Sequence, residues 1–202
     1  MAFYIAPFVN AMTRSGTIEE KTLLFESMLS YKAFTELPST KRGHGIGETE
    51  ILVDQAIRVA TNVKNRQTKA QDAFLLNIET KIQKDNLLDH KVLLFLLQPG
   101  EVDKNIAGLV ANKIMAKYQR PVCMLTASQR KVECIPPWED LPDATDSLEY
   151  AGSARGCDKT GINDFKSICL ATGVCNYAEG HPGAFGVSID AANIDTFIQK
   201  TD

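Results

Sequence analysis

Val92-Leu93-Leu94-Phe95-Leu96-Leu97, then a turn over Gln98 to Lys104, a helical pattern from Ile106 to Tyr118, and Val122-Cys123-Met124-Leu125 decide the fold. Six consecutive apolar residues are too few to cross a membrane and suit a strand buried on both faces. A change of period from strand to helix and back within about thirty-five residues is the signature of a right-handed βαβ unit. The chain is therefore expected to be α/β. Outward from this unit, Lys131 to Ile135 reads as a short strand and Pro136 to Asp143 as a Pro-rich acidic surface loop. Ser147 to Ala154 reads as a strand leading into a loop, and Ile162 to Leu170 as a helix. Ala184 to Ile189 reads as a strand and Ala191 to Lys200 as a closing helix.

Upstream the pattern is helical. Thr17-Ile18-Glu19-Glu20 has the form of a capping box, and Leu23, Leu24, Met28 and Leu29 recur at helical spacing until Leu37-Pro38. Ser39 to Gly47 is a basic, glycine-rich loop. From Glu48 a second helical pattern runs to about Asn86 without Gly or Pro, near 60 Å at about 1.5 Å per residue, which predicts a connector between two lobes. The stretch Ile5 to Arg14 reads as apolar and extended, with Asn10 and Arg14 placed either to reach a ligand or to cap the following helix. These readings divide the chain into a helical part, 1–88, and a compact α/β domain, 89–202.

The 202 residues, 44% of them hydrophobic, can bury a substantial core, and a net charge of -3 excludes a protein that coats nucleic acid through bulk charge. Any nucleic-acid contact is expected to be local. Five cysteines without CxxC spacing disfavour a disulfide framework and a structural zinc site, and fit the reduced thiols of a cytoplasmic protein. The beginning, Met1 to Pro7, has neither a basic segment nor a long apolar run, so neither a signal peptide nor a membrane anchor is expected there.

Two glycine-rich motifs carry the chemistry. Gly152-Ser153-Ala154-Arg155-Gly156 offers a hydroxyl and a guanidinium fork that can bind a phosphate or a terminal carboxylate. The alternative is a glycine-rich turn with a solvated arginine. Gly180-His181-Pro182-Gly183-Ala184-Phe185-Gly186 places one imidazole on a tight backbone, either to donate to a phosphate oxygen or orient a substrate, or to satisfy a turn carbonyl. His44 reads as a surface loop histidine and His90 as a helix-end residue. Nothing offers the clustered Asp and His ligands of a two-metal phosphodiesterase, so no catalytic and no metal-binding residue is assigned.

In order, these segments resemble the C-terminal half of a RecJ-type single-strand-specific exonuclease of the DHH phosphoesterase superfamily, ending in a DHHA1 domain. The resemblance spans Ile5-Ala6-Pro7 with Asn10-Ala11 and Arg14; Asn62, Lys64, Asn65, Arg66 and Gln67; Ile106 to Ala111 with Arg120-Pro121-Val122; and both glycine motifs. It implies a mixed sheet flanked by helices and a nucleic-acid-binding role for residues 89–202. Ser153, Arg155, His181, Gly180 and Gly183, with Arg14 assisting, would hold phosphates or the 5′ end of single-stranded DNA. Phe8, Glu179, Phe185 and Gly156 depart from the family pattern, and the carboxylate of Glu179 beside the site would repel phosphate. The Mn²⁺ or Mg²⁺ of that family is expected in a catalytic DHH domain or separate subunit, since no Asp-His-His triplet occurs here. The chain is thus expected to be an excised or naturally separate substrate-binding half, inactive alone. The alternatives are part of a phosphodiesterase for short oligonucleotides or cyclic dinucleotides, or a non-catalytic interaction module.

Overall fold

The computed structural model describes residues 4–129, 148–162 and 164–202. The strand expected at Lys131 to Ile135 and the acidic loop at Pro136 to Asp143 lie outside them. The chain divides into two compact units, Met1–Ala73 and Phe74–Asp202.

In the first unit, α1 (Ala6–Ser15) and α2 (Ile18–Ser27) are joined by a tight corner. The segment expected to be extended is the helix α1. Pro7 lies in its first turn, where a missing N–H costs nothing and the fixed φ favours the start of a helix. The capping box forms as expected: Thr17 Oγ1 accepts from the Glu20 N–H at 3.2 Å and Glu20 Oε2 accepts from the Thr17 N–H at 2.8 Å. α2 stops at Ser27, ten residues before Leu37-Pro38, and β1 (Glu36–Pro38) pairs antiparallel with β2 (Thr49–Ile51). The long helix α3 (Leu52–Lys84) therefore begins after β2 and not at Glu48. Gly47, at φ +91, is the residue that lets the chain turn into β2.

Ala11 and Met12 of α1 pack with Ala60 and Val63 of α3. Arg66 donates to Glu20 Oε2 at 2.9 Å and to the Ser15 carbonyl at 3.1 Å, holding the α1–α2 corner. Lys64 lies over the Phe8 ring, 4.5 Å from its centroid. The conspicuous run Asn62 to Gln67 thus spends at least these two cations on structure. Beneath β2, the buried Glu50 accepts from the Thr40 N–H, from Gln55 Nε2 and from Arg58. Burial alone would raise its pKa, but those hydrogen bonds outweigh it and hold the carboxyl at about 2.

The second unit is a five-stranded mixed sheet in the order β3 (Leu93–Leu97), β4 (Val122–Gln129), β5 (Leu148–Arg155), β7 (Ala184–Asp190), β6 (Cys175–His181). β3 and β4 are parallel and joined by α4 (Lys104–Tyr118), which is the βαβ unit the sequence predicts; all other pairs are antiparallel. One face packs Leu93, Phe95, Leu97, Val122 and Met124 against α4 and the C-terminal turns of α3, through Val110, Ile114, Phe74, Ile78 and Ile82. The opposite face packs Cys123, Leu125, Ala154, Phe185, Val187 and Ile189 under α5 (Phe165–Ala171) and α6 (Ile194–Thr201). No helix among the described residues is long and apolar enough to cross a membrane.

Candidate nucleic-acid interface

Both glycine motifs belong to the sheet. Gly152 to Arg155 lie in β5, and Gly180-His181 with Ala184 to Gly186 form a β6–β7 hairpin closed by Pro182 and Gly183. The strands expected at Ser147 to Ala154 and Ala184 to Ile189 are present, whereas Arg155, Gly180 and His181, expected in loops, also lie in strands. Gly152 is a strand residue because a Cβ there would stand 2.1 Å from the Met124 carbonyl oxygen, so only glycine permits β4 and β5 to pair. Gly180 takes φ +130, and its missing Cβ makes room for the Ala184 oxygen and Phe185 Cα, each 3.0 Å away.

The pairing register then brings the polar residues together. Arg155 pairs with Ala184, which pairs with His181; Ser153 pairs with Gly186, which pairs with Glu179. Directly paired residues share a face and alternate residues along a strand return to it, so Ser153, Arg155, His181 and Glu179 all project from one side. Between the two pairs lie only Ala184 and Gly186. The motif backbones also touch: the Gly156 N–H donates to the Gly183 carbonyl at 2.9 Å, and Lys166 Nζ donates to the Gly180 carbonyl at 3.0 Å.

Each polar group is held differently. Arg155 Nη1 donates to the Ala154 carbonyl at 2.7 Å, and its guanidinium lies against Gly108 of α4. A Cβ on Gly108 would stand 2.3 Å from Arg155 Nη2 and 3.4 Å from Ser153 Oγ, so this glycine inside a helix makes space for the site. Gly108 belongs to the segment Ile106 to Ala111, and the sheet register is what brings Arg155 against it. Nδ1 of the exposed His181 accepts from the Gly183 N–H at 3.2 Å, which in the neutral ring leaves the proton on Nε2 as a donor. The histidine thus serves its own turn by accepting from an N–H, where a bond to a turn carbonyl was expected. Gly183 contributes backbone alone. Arg14 belongs to the first unit, exposed in the last turn of α1, where a cation complements the helix dipole.

Farther along the same face the surface turns acidic. Ser188 Oγ donates to Glu149 Oε2 at 2.6 Å, and Asn176 Nδ2 donates to Asp190 Oδ1 at 2.8 Å. Burial, with Glu149 and Glu179 nearby, pushes the Tyr177 phenol above its ordinary pKa. A separate cleft of about 360 Å³ lies at the start of β4, lined by His90, Lys91, Arg120, Thr160 and Ile162 among others. Two of its basic side chains are already engaged: Arg120 donates to the carbonyls of Leu88 and His90, and His90 pairs with Asp202. The motif residues lie outside that cleft, on the α4 side of the sheet across β5, β7 and β6.

The fold as a whole has solved counterparts. RecJ from Thermus thermophilus in complex with Mn²⁺ matches 99% of this chain and 23% of its own, at a TM-score of 0.57 and 19% identity. A manganese-bound exonuclease RecJ matches 99% of this chain and 39% of its own, at 0.53 and 18%. The sequence also aligns with the SPbeta prophage-derived protein YorK of Bacillus subtilis (strain 168), named as a candidate single-strand DNA-specific exonuclease, at 32% identity over 192 residues, 95% of this chain. The fold is RecJ-like. The same identity and coverage hold for the yorK product of Bacillus phage SPbeta. The chain spans 30% of the length of these curated relatives. No protein-family model matches it. Among the described residues no three of His, Cys, Asp and Glu come together in a way that could hold a metal ion. The donor set described here therefore does not fit the Mn²⁺ or Mg²⁺ of the RecJ complexes, and no metal-dependent step is assigned to it.

Proposed function

We propose that this chain is the substrate-binding part of a RecJ-like, metal-dependent 5′ to 3′ single-stranded DNA exonuclease, with residues 89–202 acting as a DHHA1-like nucleic-acid-binding domain. The observation that carries the reading is the register placing Arg155 and His181 in one row across Ala184, with Ser153 beside them. A phosphate seated over Ala184 would take charge-assisted hydrogen bonds from Arg155, a neutral donor from His181 Nε2 and the Ser153 hydroxyl. Ala184 has no side chain that would block it. The likeness to YorK, by its name a candidate single-strand DNA-specific exonuclease, supports that polymer as the ligand.

In this reading hydrolysis belongs to a catalytic DHH domain or subunit that supplies the Mn²⁺ or Mg²⁺, and this chain binds and orients the 5′ phosphate. Its setting is the cytoplasm, where the four described free thiols would stay reduced. Competition against a labelled 5′-phosphorylated single strand tests the proposal. Unlabelled single strand is expected to compete well, with duplex and phosphorylated dinucleotide much weaker. Equal competition by the dinucleotide would favour a phosphodiesterase for short substrates, and no binding of any of the three would refute the nucleic-acid role.

A further inference from the structure

Tyr177 is, among the described residues, the exposed large aromatic residue of the sheet face that carries Ser153, Arg155 and His181. It is 41% exposed, and its Cε2 lies 3.8 Å from the point where a Cβ of Gly186 would stand. Its ring therefore leans into the Ser153–Gly186–Glu179 row, one pair of residues, about 7 Å, from the Arg155–Ala184–His181 row. That span is comparable to the reach from a terminal phosphate to the base of its own nucleotide. The charges change sign over the same distance. Glu179 is exposed, while Glu149 and Asp190 accept from Ser188 and Asn176. A second phosphate entering this region would meet the Glu179 carboxylate, whereas an uncharged ring would not.

We infer that Tyr177 is the stacking platform for the base of the 5′-terminal nucleotide, and that Glu179 keeps phosphate off this part of the face so that a base occupies it. The inference rests on the reading of Arg155 and His181 as the phosphate seat. Glu179, which looks adverse to binding when the motif is read as one phosphate site, then separates a phosphate subsite from a base subsite. Stacking on an aromatic side chain is tolerant of base identity, so the subsite takes any nucleobase.

The test uses the full chain and three fluorescent single strands of one sequence: 5′-phosphorylated, 5′-hydroxyl, and 5′-phosphorylated with an abasic first nucleotide. Tyr177→Ala is expected to weaken binding of the first strand about tenfold and to leave the abasic strand nearly unaffected. Tyr177→Phe is expected to keep most of the affinity, which shows that the ring and not the hydroxyl acts. Equal loss on the intact and abasic strands, or wild-type binding of the abasic strand as tight as the intact one, would overturn the base subsite while leaving the phosphate seat in place. A wild-type protein indifferent to the 5′ phosphate would overturn the phosphate reading and this inference with it.

Discussion

Replacing Gly108 by Ala separates the stability of this fold from its binding function. The new methyl would stand 2.3 Å from Arg155 Nη2, against an ordinary contact near 3.5 Å, so the guanidinium must withdraw by more than about 1 Å. The atom that must move is the tip of a flexible side chain, so the backbone has no reason to shift. Gly to Ala inside a helix gains about 1 kcal/mol, and Gly108 sits within α4. Gly108→Ala is therefore expected to raise the melting temperature by a few degrees. Its binding should change in the opposite sense. A hydrogen bond to a charged group contributes about 1.5–3 kcal/mol, so a displaced guanidinium should weaken binding of a 5′-phosphorylated strand by about ten- to a hundredfold. Thermal denaturation and fluorescence anisotropy on the same preparation read both quantities. A variant that is more stable and binds as tightly as wild type would refute the claim that Gly108 positions Arg155. A destabilised variant would refute the claim that only a side-chain tip stands in the way.

Gly152→Ala puts a methyl against main chain, 2.1 Å from the Met124 oxygen, and is expected to cost about 3 kcal/mol in a urea titration; a cost under about 1 kcal/mol would mean that β4 and β5 separate freely. Acid should weaken the first unit through Glu50. Its folded pKa of about 2 lies below the ordinary 4.5, so its contribution is present above about pH 4.5 and is lost as pH falls toward 2. Glu50→Gln should therefore flatten the pH dependence of stability in that window, and an unchanged slope would remove Glu50 as its source. Thr17→Ala removes one half of the capping box and should cost about 1 kcal/mol, read as a shift in the denaturation midpoint.

The legible parts of the sequence were those whose local pattern and global role agree. The apolar run ending at Leu97, the helix to Tyr118 and the strand from Val122 carry their periodicity openly, because the β3–α4–β4 unit is buried through it. Thr17 and Glu20 are three residues apart and need nothing distant to cap α2. The misread parts were set by tertiary contacts. Arg155, Gly180 and His181, expected in loops, lie in strands, and the glycine at 152 is required because the neighbouring Met124 backbone leaves no space for a side chain. β6 gave no alternating signal because it is an edge strand with a register shift between Cys175 and Tyr177 and mostly exposed residues. Ile5 to Arg14 read as extended, but Pro7 lies in the first turn of α1. Ser153, Arg155 and His181 were identifiable by type, but their common face, and the parts of Gly108 and Tyr177, follow only from strand register.

The central claim is that Arg155 and His181 seat one terminal phosphate, and the direct measurement is the affinity of 5′-phosphorylated against 5′-hydroxyl single strand for wild type, Arg155→Ala and His181→Ala at low salt. The account predicts that wild type prefers the phosphorylated strand and that each variant loses most of that preference, while the hydroxyl strand binds nearly as before. A preference that survives both substitutions would contradict the account and place the phosphate elsewhere.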